Sequence, residues 1–301
     1  MLTVELSHPL IESLLAAAAF LAPWEFSPTL VLLCAGALVF HWRGLRHVGT
    51  AERASPGRRV AFITGLLLIY FVMQTRFDYL SQHMFFIHRL QHLALHHLGP
   101  FLIALSQPLA VLATGMPARM RSGLVQRFWR LPATRFGYRL LQNAVVAPVL
   151  FVGLIWFWLT SRIHFYAMLS EPLYWVMNWS MLLDGLLFWI LMLDPRTRRE
   201  GALLGFGIRI LLVLAAIVPQ IVIGARIALA DRDLYDVYDV CGRVWEIEPL
   251  VDEHLGGLIT WIPAAMIHAV AAVILIARWA RSDRNETAIA SGASSPYAGG
   301  A

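Results

Sequence analysis

Histidine is concentrated in one short segment of the chain. Of the 11 histidines in the sequence, five fall within residues 81–97, at His83, His88, His92, His96 and His97. His88, His92 and His96 are four residues apart, so on a helix their side chains stack along one face with Cβ atoms about 6 Å apart. Two imidazoles one turn apart can hold a single metal ion. The spacing therefore indicates metal-binding chemistry.

Methionine near these histidines favours copper among the metals. Met84 precedes His88 by four residues. Neutral imidazole and thioether ligands suit copper, especially Cu(I), whereas a closed zinc site requires four nitrogen or sulfur ligands. With Cys34 and Cys241 as its 2 cysteines, the chain has too few for a thiolate cluster. The candidate ligands in this segment are His83, Met84, His88, His92 and His96.

A second group of potential ligands lies near the C-terminus. Asp252, Glu253 and His254 come just before a Gly256-Gly257 pair at the start of an apolar stretch. Asp252 and His254 are candidates to attract a cation. The alternative is that the two acids stabilise the first turn of a helix by capping it and by interacting with its dipole.

The elements that position these residues are predicted to be transmembrane helices. Hydrophobic residues make up 58% of the chain and charged residues 14%, with a mean hydropathy of +0.64. An ordinary soluble domain has roughly 25% charged residues, so a soluble globular enzyme is excluded. The aromatic content of 12% excludes a disordered chain. We predict an all-α polytopic membrane protein that is not an enzyme.

Seven stretches approach or exceed the length of about 20 apolar residues that crosses a bilayer. They are residues 28–45, 60–80, 84–114, 140–161, 172–193, 202–226 and 256–279. Pro100 and Pro108 predict a kink in the third stretch. We divide the chain into a periplasmic or interfacial segment, a seven-helix transmembrane domain and a disordered cytoplasmic tail, at residues 1–27, 28–279 and 280–301.

The charge distribution predicts the orientation of this bundle. All 24 basic residues are arginines, and 17 of them fall in the first, third and fifth connections and the C-terminal tail. The positive-inside rule therefore places the N-terminus outside and the C-terminus in the cytoplasm. The net charge of +5 is explained by this topology, without a nucleic-acid partner. On this orientation His92 lies about 16 Å below the outer end of its helix.

Two further expectations concern charged and histidine residues inside spans. Arg89 and Asp184 are at comparable depths, and we predict a charge pair between them because isolated charges are costly in hydrocarbon. An alternative to copper is a b-type cytochrome in which His268 and either His92 or His96 ligate haem iron. A metal-free scaffold is the third possibility.

Three motifs resemble the CtaG family of bacterial cytochrome c oxidase assembly factors. His88-Arg89-Leu90-Gln91-His92 is similar to the H-M-x-Q-H of the third span in that family. The segment from Asp252 to Trp261 resembles its D-Q-x-x-G-G-L-x-x-W pattern, and residues 185–189 resemble its G-L-L-F-W. The resemblance covers roughly residues 28–279. It implies a seven-span protein of the bacterial inner membrane that supplies copper to oxidase subunits, with a periplasmic copper chaperone as a further partner.

The chain departs from the family pattern at two places. Many members carry an L-H-x-x-E-H signature before the G-L-L-F-W segment. Here Tyr174 and Asn178 stand at the positions of its histidines, and Met177 stands at the position of its glutamate. Arg89 replaces the methionine of the third-span motif and adds positive charge beside the predicted site.

Overall fold

The computed structural model describes residues 13, 15, 18–47 and 55–290, and this part of the chain is helical without a β-strand. The helices are α1 (Pro28–His47), α2 (Pro56–Gln74), α3 (Arg76–His83), α4 (Phe85–His92), α5 (Gly99–Ser106), α6 (Leu109–Gly115), α7 (Gln126–Arg130), α8 (Pro132–Leu141), α9 (Val146–Trp158), α10 (Ser161–Met168), α11 (Glu171–Met192), α12 (Phe206–Ala215), α13 (Ile217–Ala228), α14 (Val237–Cys241) and α15 (Pro249–Ala290). Two short π-helical segments, Leu93–Leu98 and Met120–Val125, follow α4 and precede α7.

The described helices include five that are long and apolar enough to cross a membrane, counting α12 and α13 together as one. The number rises to seven if two bent pairs each form one span. These pairs are α4 to α6, bent by 70°, and α8 with α9, bent by 75°. The all-α prediction is confirmed for the described residues, and five to seven candidate spans support a membrane protein. The count of seven spans and the orientation stay predictions.

The break in the third predicted span occurs at one of its two prolines. Helix α5 ends at Ser106, Gln107 adopts a left-handed conformation with φ 55°, and Pro108 precedes α6. Pro100 acts differently, because it lacks the N–H that would bond the carbonyl oxygen of His96 in an α-helix. That oxygen instead accepts a hydrogen bond from Trp189 Nε1 at 3.2 Å, which ties the histidine segment to α11.

The last helix, α15, packs closely against α13 through glycines. A Cβ atom on Gly257 would overlap the backbone of Ala228, and one on Gly224 would overlap the Trp261 ring. Because small residues allow membrane helices to approach closely, these glycines set the distance between the two helices.

This contact predicts a large effect of one substitution on stability. Gly257→Val should lower the Tm of the purified protein by at least about 5 °C, since overpacking forces the helices apart. Gly153→Ala is the control, because no atom lies within 4 Å of a Cβ at that exposed position. Equal Tm values for the two variants in a thermal melt would contradict the assigned packing.

The predicted boundaries at the two ends of the chain have different outcomes. The segment at residues 1–27 lies mainly outside the described residues. Helix α15 continues to Ala290, beyond residue 280 where we predict the tail to begin. No proline or glycine interrupts residues 280–290, so the helix extends past its apolar part. Residues 291–301 lie outside the described part.

Candidate metal site

Helix α4, which carries His88 and His92, is capped by a residue from the other end of the sequence. Met84 is its extended N-cap residue, and the carboxylate of Asp252 accepts hydrogen bonds from the N–H groups of Phe85 at 3.0 Å and Phe86 at 2.8 Å. Asp252 also forms an ion pair with Arg243. A carboxylate at a helix N-terminus satisfies free N–H groups and is favoured by the dipole. Asp252 therefore fixes the start of α4.

His88 and His92 form a buried pair. Their side chains are 0% and 3% exposed, and the two Nε2 atoms lie 3.1 Å apart. His88 Nδ1 lies 3.3 Å from the carbonyl oxygen of Ser81, which can only accept a hydrogen bond. Nδ1 of His88 therefore carries the proton, and its Nε2 presents a lone pair toward His92.

Helix α11 supplies two further residues at this pair. Asn178 Oδ1 lies 3.1 Å from His92 Nε2, and the ring of Tyr174 lies 6.0 Å from that of His88 between centroids. These are the positions at which many CtaG proteins carry histidine. The family signature and the histidines of α4 thus converge on one place in the bundle.

A buried carboxylate network adjoins the pair at the α3 end. Asp78 Oδ1 accepts hydrogen bonds from Tyr174 at 2.8 Å and from Gln91 at 2.6 Å. Tyr174 is also bonded to Ser81 Oγ at 2.9 Å. Sequence reasoning did not identify this network, because its members lie up to 96 residues apart.

Burial raises the pKa of Asp78 to about 6 from 3.8, and the hydrogen bonds from Tyr174 and Gln91 oppose that shift. The folded state therefore holds the proton more tightly than the unfolded state. The stabilisation from protonated Asp78 is complete below about pH 4 and is lost as pH rises through about 6. We expect the Tm of the wild type minus that of Asp78→Asn to fall between pH 5 and 7. A difference that does not change with pH in thermal melts would contradict this.

His164 is a site residue that sequence analysis missed. Its ring centroid lies 5.2 Å from that of His88. Nδ1 bonds to the Trp158 carbonyl oxygen at 3.1 Å, and Nε2 lies 3.0 Å from the Tyr238 hydroxyl. Burial lowers the pKa of His164 to about 3, which keeps the ring neutral. Its isolated position in the sequence gave no signal of this proximity.

The histidines after α4 have partners of their own. His96 Nε2 lies 3.1 Å from Asp184 Oδ2, and His97 Nε2 lies 3.1 Å from Gln220 Oε1. The predicted pair between Arg89 and Asp184 is therefore wrong. Each residue of an α-helix is rotated by about 100° from the one before it, so Arg89 lies to one side of the face that His88 and His92 share. Its side chain instead lies against the backbone at Gly256, where a Cβ would be 3.1 Å from Arg89 Cγ.

Of the remaining candidate ligands, His83 and His254 each bond to a backbone carbonyl oxygen instead. His83 Nδ1 bonds to the Gly242 carbonyl oxygen at 2.7 Å, and His254 Nε2 bonds to that of Ala230 at 2.8 Å. Met84 is fully buried at the N-cap one turn before His88. Among the described residues, no group of three histidine, cysteine or acidic side chains has the geometry to hold a metal ion.

The pair itself has a separation that suits one ion. The 3.1 Å between the two Nε2 atoms is a hydrogen-bond distance, and it is also close to the roughly 3.3 Å between two nitrogens bound at about 2.0–2.1 Å to a tetrahedral ion, so the pair fits two of the four positions around such an ion. A ligating histidine commonly donates its other N–H to a backbone carbonyl, as His88 does to Ser81. Haem fits less well, because the cavity bordered by His92 and His97 has a volume of about 20 Å³, the space of about one water molecule.

Residues 36–282 match the model of the cytochrome c oxidase caa3 assembly factor family, Caa3_CtaG. The chain belongs to this family. The match includes α4, the signature positions on α11 and the Asp252 cap, so the Caa3_CtaG region contains the whole candidate site. Membership of Caa3_CtaG confirms the resemblance to the CtaG family.

The chain is similar to one part of each of three larger mycobacterial proteins. An uncharacterized protein of Mycobacterium leprae is 26% identical over 285 residues, covering 88% of this chain and 40% of that protein. Uncharacterized proteins of Mycobacterium bovis and Mycobacterium tuberculosis are each 27% identical over 244 residues, covering 76% of this chain and 35% of each protein. The chain thus spans 40% or less of these relatives' length. No solved structure matches it.

Proposed function

We propose that this protein assists cytochrome c oxidase assembly by holding Cu(I) between His88 and His92 and passing it to a copper centre of the oxidase. The observation that carries the proposal is the 3.1 Å separation of two buried Nε2 atoms, one of which already presents a lone pair. Copper is the cargo here, and neutral imidazoles are suitable ligands for Cu(I).

Loading the pair requires one change in hydrogen bonding. Without an ion, the His92 Nε2 proton lies between His88 Nε2 and Asn178 Oδ1. If this proton moves from Nε2 to Nδ1 of His92, both rings present an Nε2 lone pair to copper. His92 Nδ1 is free to take the proton, because it is buried without a hydrogen-bond partner. Because the proton stays on the same ring, copper binding needs no buried charge other than the ion.

The proposed orientation places copper entry on the outer side of the bacterial inner membrane. The arginine-poor connections lie at that side, and His88 and His92 are then within the membrane near the outer half. A site at this depth suits delivery to a metal centre that is itself buried in the membrane. Oxidase subunits are the proposed recipients and a periplasmic chaperone is the proposed donor.

Metal analysis of the detergent-purified protein tests the proposal. Wild-type protein reconstituted with Cu(I) and desalted should retain copper, and a variant carrying both His88→Ala and His92→Ala should not. Equal copper content would overturn it.

A metal-free scaffold is the second candidate function. Its support is that the hydrogen bond between His88 and His92 satisfies both rings at Nε2 without an ion. A scaffold should still co-purify with oxidase subunits after both histidines are replaced, and the oxidase should then contain normal copper.

A further inference from the structure

Helix α8 has an apolar face that no described residue covers. Phe136 and Leu140 are four residues apart and share this face, where their side chains are 69% and 46% exposed. The opposite face contacts protein, since Tyr138 is half-buried and its ring centroid lies 5.0 Å from that of Trp129. Adjacent exposed apolar side chains of this size indicate an interaction surface.

The segment that contains α8 is basic and has no carboxylate. Residues 117–141 include six arginines and no aspartate or glutamate. All six arginines are exposed, and among the described residues no ion pair engages any of them. On α8 itself, Arg135 and Arg139 are four residues apart and lie beside the apolar face. The charge of this surface is therefore free to attract a negatively charged partner.

The bend between α8 and α9 places this surface at the level of the membrane boundary. Helix α9, which lies within the predicted fourth span, is apolar along its length, and α8 is bent from it by 75°. When α9 crosses the bilayer, α8 therefore runs nearly parallel to the membrane surface at the end of the span. Placing α8 inside the hydrocarbon instead would bury Arg135 and Arg139 without counter-ions, which is costly. A basic amphipathic helix in this orientation is typical of an element that lies in the interface.

We propose that α8 lies in the membrane–water interface and binds the headgroups of anionic phospholipids through Arg135 and Arg139. Phe136 and Leu140 then insert among the acyl chains, and the guanidinium groups pair with lipid phosphates, which accept hydrogen bonds from both arms of an arginine. Arg135 Nε donates to the Trp129 carbonyl oxygen at 2.8 Å, which leaves its two terminal nitrogens for phosphate. The proposal does not depend on copper, because it uses no residue of the candidate metal site.

Fluorescence quenching in bilayers tests the placement and the lipid preference together. The full-length protein with Cys34→Ala, Cys241→Ala and Phe136→Cys is labelled with bimane and reconstituted in mixed phosphatidylcholine and phosphatidylglycerol, one of which carries brominated acyl chains. The label should be quenched by bromine and protected from acrylamide in the water. Brominated phosphatidylglycerol should quench at least about twofold more than brominated phosphatidylcholine at equal mole fraction, because each arginine near the surface favours anionic lipid. Leu140→Cys, on the same face, is a second label position and should respond in the same way.

Three other results would overturn the proposal. Quenching by acrylamide but not by bromine at both label positions would mean that α8 lies in water. Protection from both quenchers would mean that a second copy of the chain covers the face. Equal quenching by the two brominated lipids would mean that the surface does not select anionic headgroups. A label at Thr134→Cys, on the face that contacts protein, is the control for depth and should be quenched less by either lipid.

Substitution of the two arginines locates the headgroup contact on α8. With Arg135→Gln and Arg139→Gln together, the label at position 136 should still be quenched by bromine, but the excess quenching by phosphatidylglycerol should largely disappear. The control removes two other exposed arginines, with Arg281→Gln and Arg284→Gln on α15, and should keep the full excess. All four side chains are exposed, so the variants should keep the wild-type helix content. An unchanged excess in the Arg135 and Arg139 variant would overturn the assignment of these two residues.

Discussion

Replacing either His88 or His92 with alanine should abolish copper retention by the purified protein and reduce oxidase activity in cells to the level of a deletion strain. A Cu(I) ion held by two imidazoles loses half of those ligands in either variant, and the Asn178 amide that remains is a weak ligand for a soft ion. Copper content is measured by mass spectrometry after competition with a Cu(I) chelator. Oxidase activity and haem–copper content are measured on isolated membranes.

Two controls make this result specific. His83→Ala removes a histidine that bonds to the Gly242 carbonyl oxygen and lies apart from the pair, so it should keep copper and oxidase activity. Because His88 is fully buried, each variant must also show the wild-type helix content and elute as a single species. Folded His88→Ala and His92→Ala proteins with normal copper and normal oxidase would contradict copper delivery and leave the scaffold as the remaining candidate.

The helices were predictable because the hydrophobicity and the proline positions that define them can be read from neighbouring residues in the sequence. About 20 apolar residues mark a possible span, and Pro108 marks a break, so the third predicted stretch matches α4 to α6 including its bend. The π-helical segment Leu93–Leu98 was not predicted. Its His96 carbonyl oxygen accepts a hydrogen bond from the indole of Trp189, on a helix far away in the sequence.

The site was predictable only where its residues share one helix. The four-residue spacing places His88 and His92 together, and the structure shows this pair. The partners Asn178 and His164 come from α11 and α10, and no period in the sequence relates them to α4. The prediction that Arg89 pairs with Asp184 was wrong because equal depth in a membrane does not determine the direction in which a side chain points around its helix.

Position 178 offers the strongest test of where copper binds, because a substitution there should improve binding. Asn178→His places a third imidazole beside His92 Nε2, to which Asn178 Oδ1 already lies 3.1 Å away. It also restores the histidine that many family members carry. Exchanging a weak amide oxygen for an imidazole should lower the Kd for Cu(I) by at least about tenfold, the lower end of the effects seen when residues around a metal are changed. Competition titration with a Cu(I) chelator measures this change.

Matched variants exclude an effect of adding a histidine anywhere in the bundle. Tyr166→His adds one on α10 at a position that is 56% exposed, and it should leave the Kd unchanged. In a His92→Ala background, Asn178→His should recover part of the lost affinity, because His88 and the new imidazole again provide two nitrogen ligands. If Asn178→His instead binds copper no better than wild type while remaining folded, the ion does not lie between α4 and α11. The convergence of the family signature on His88 and His92 would then reflect helix packing alone.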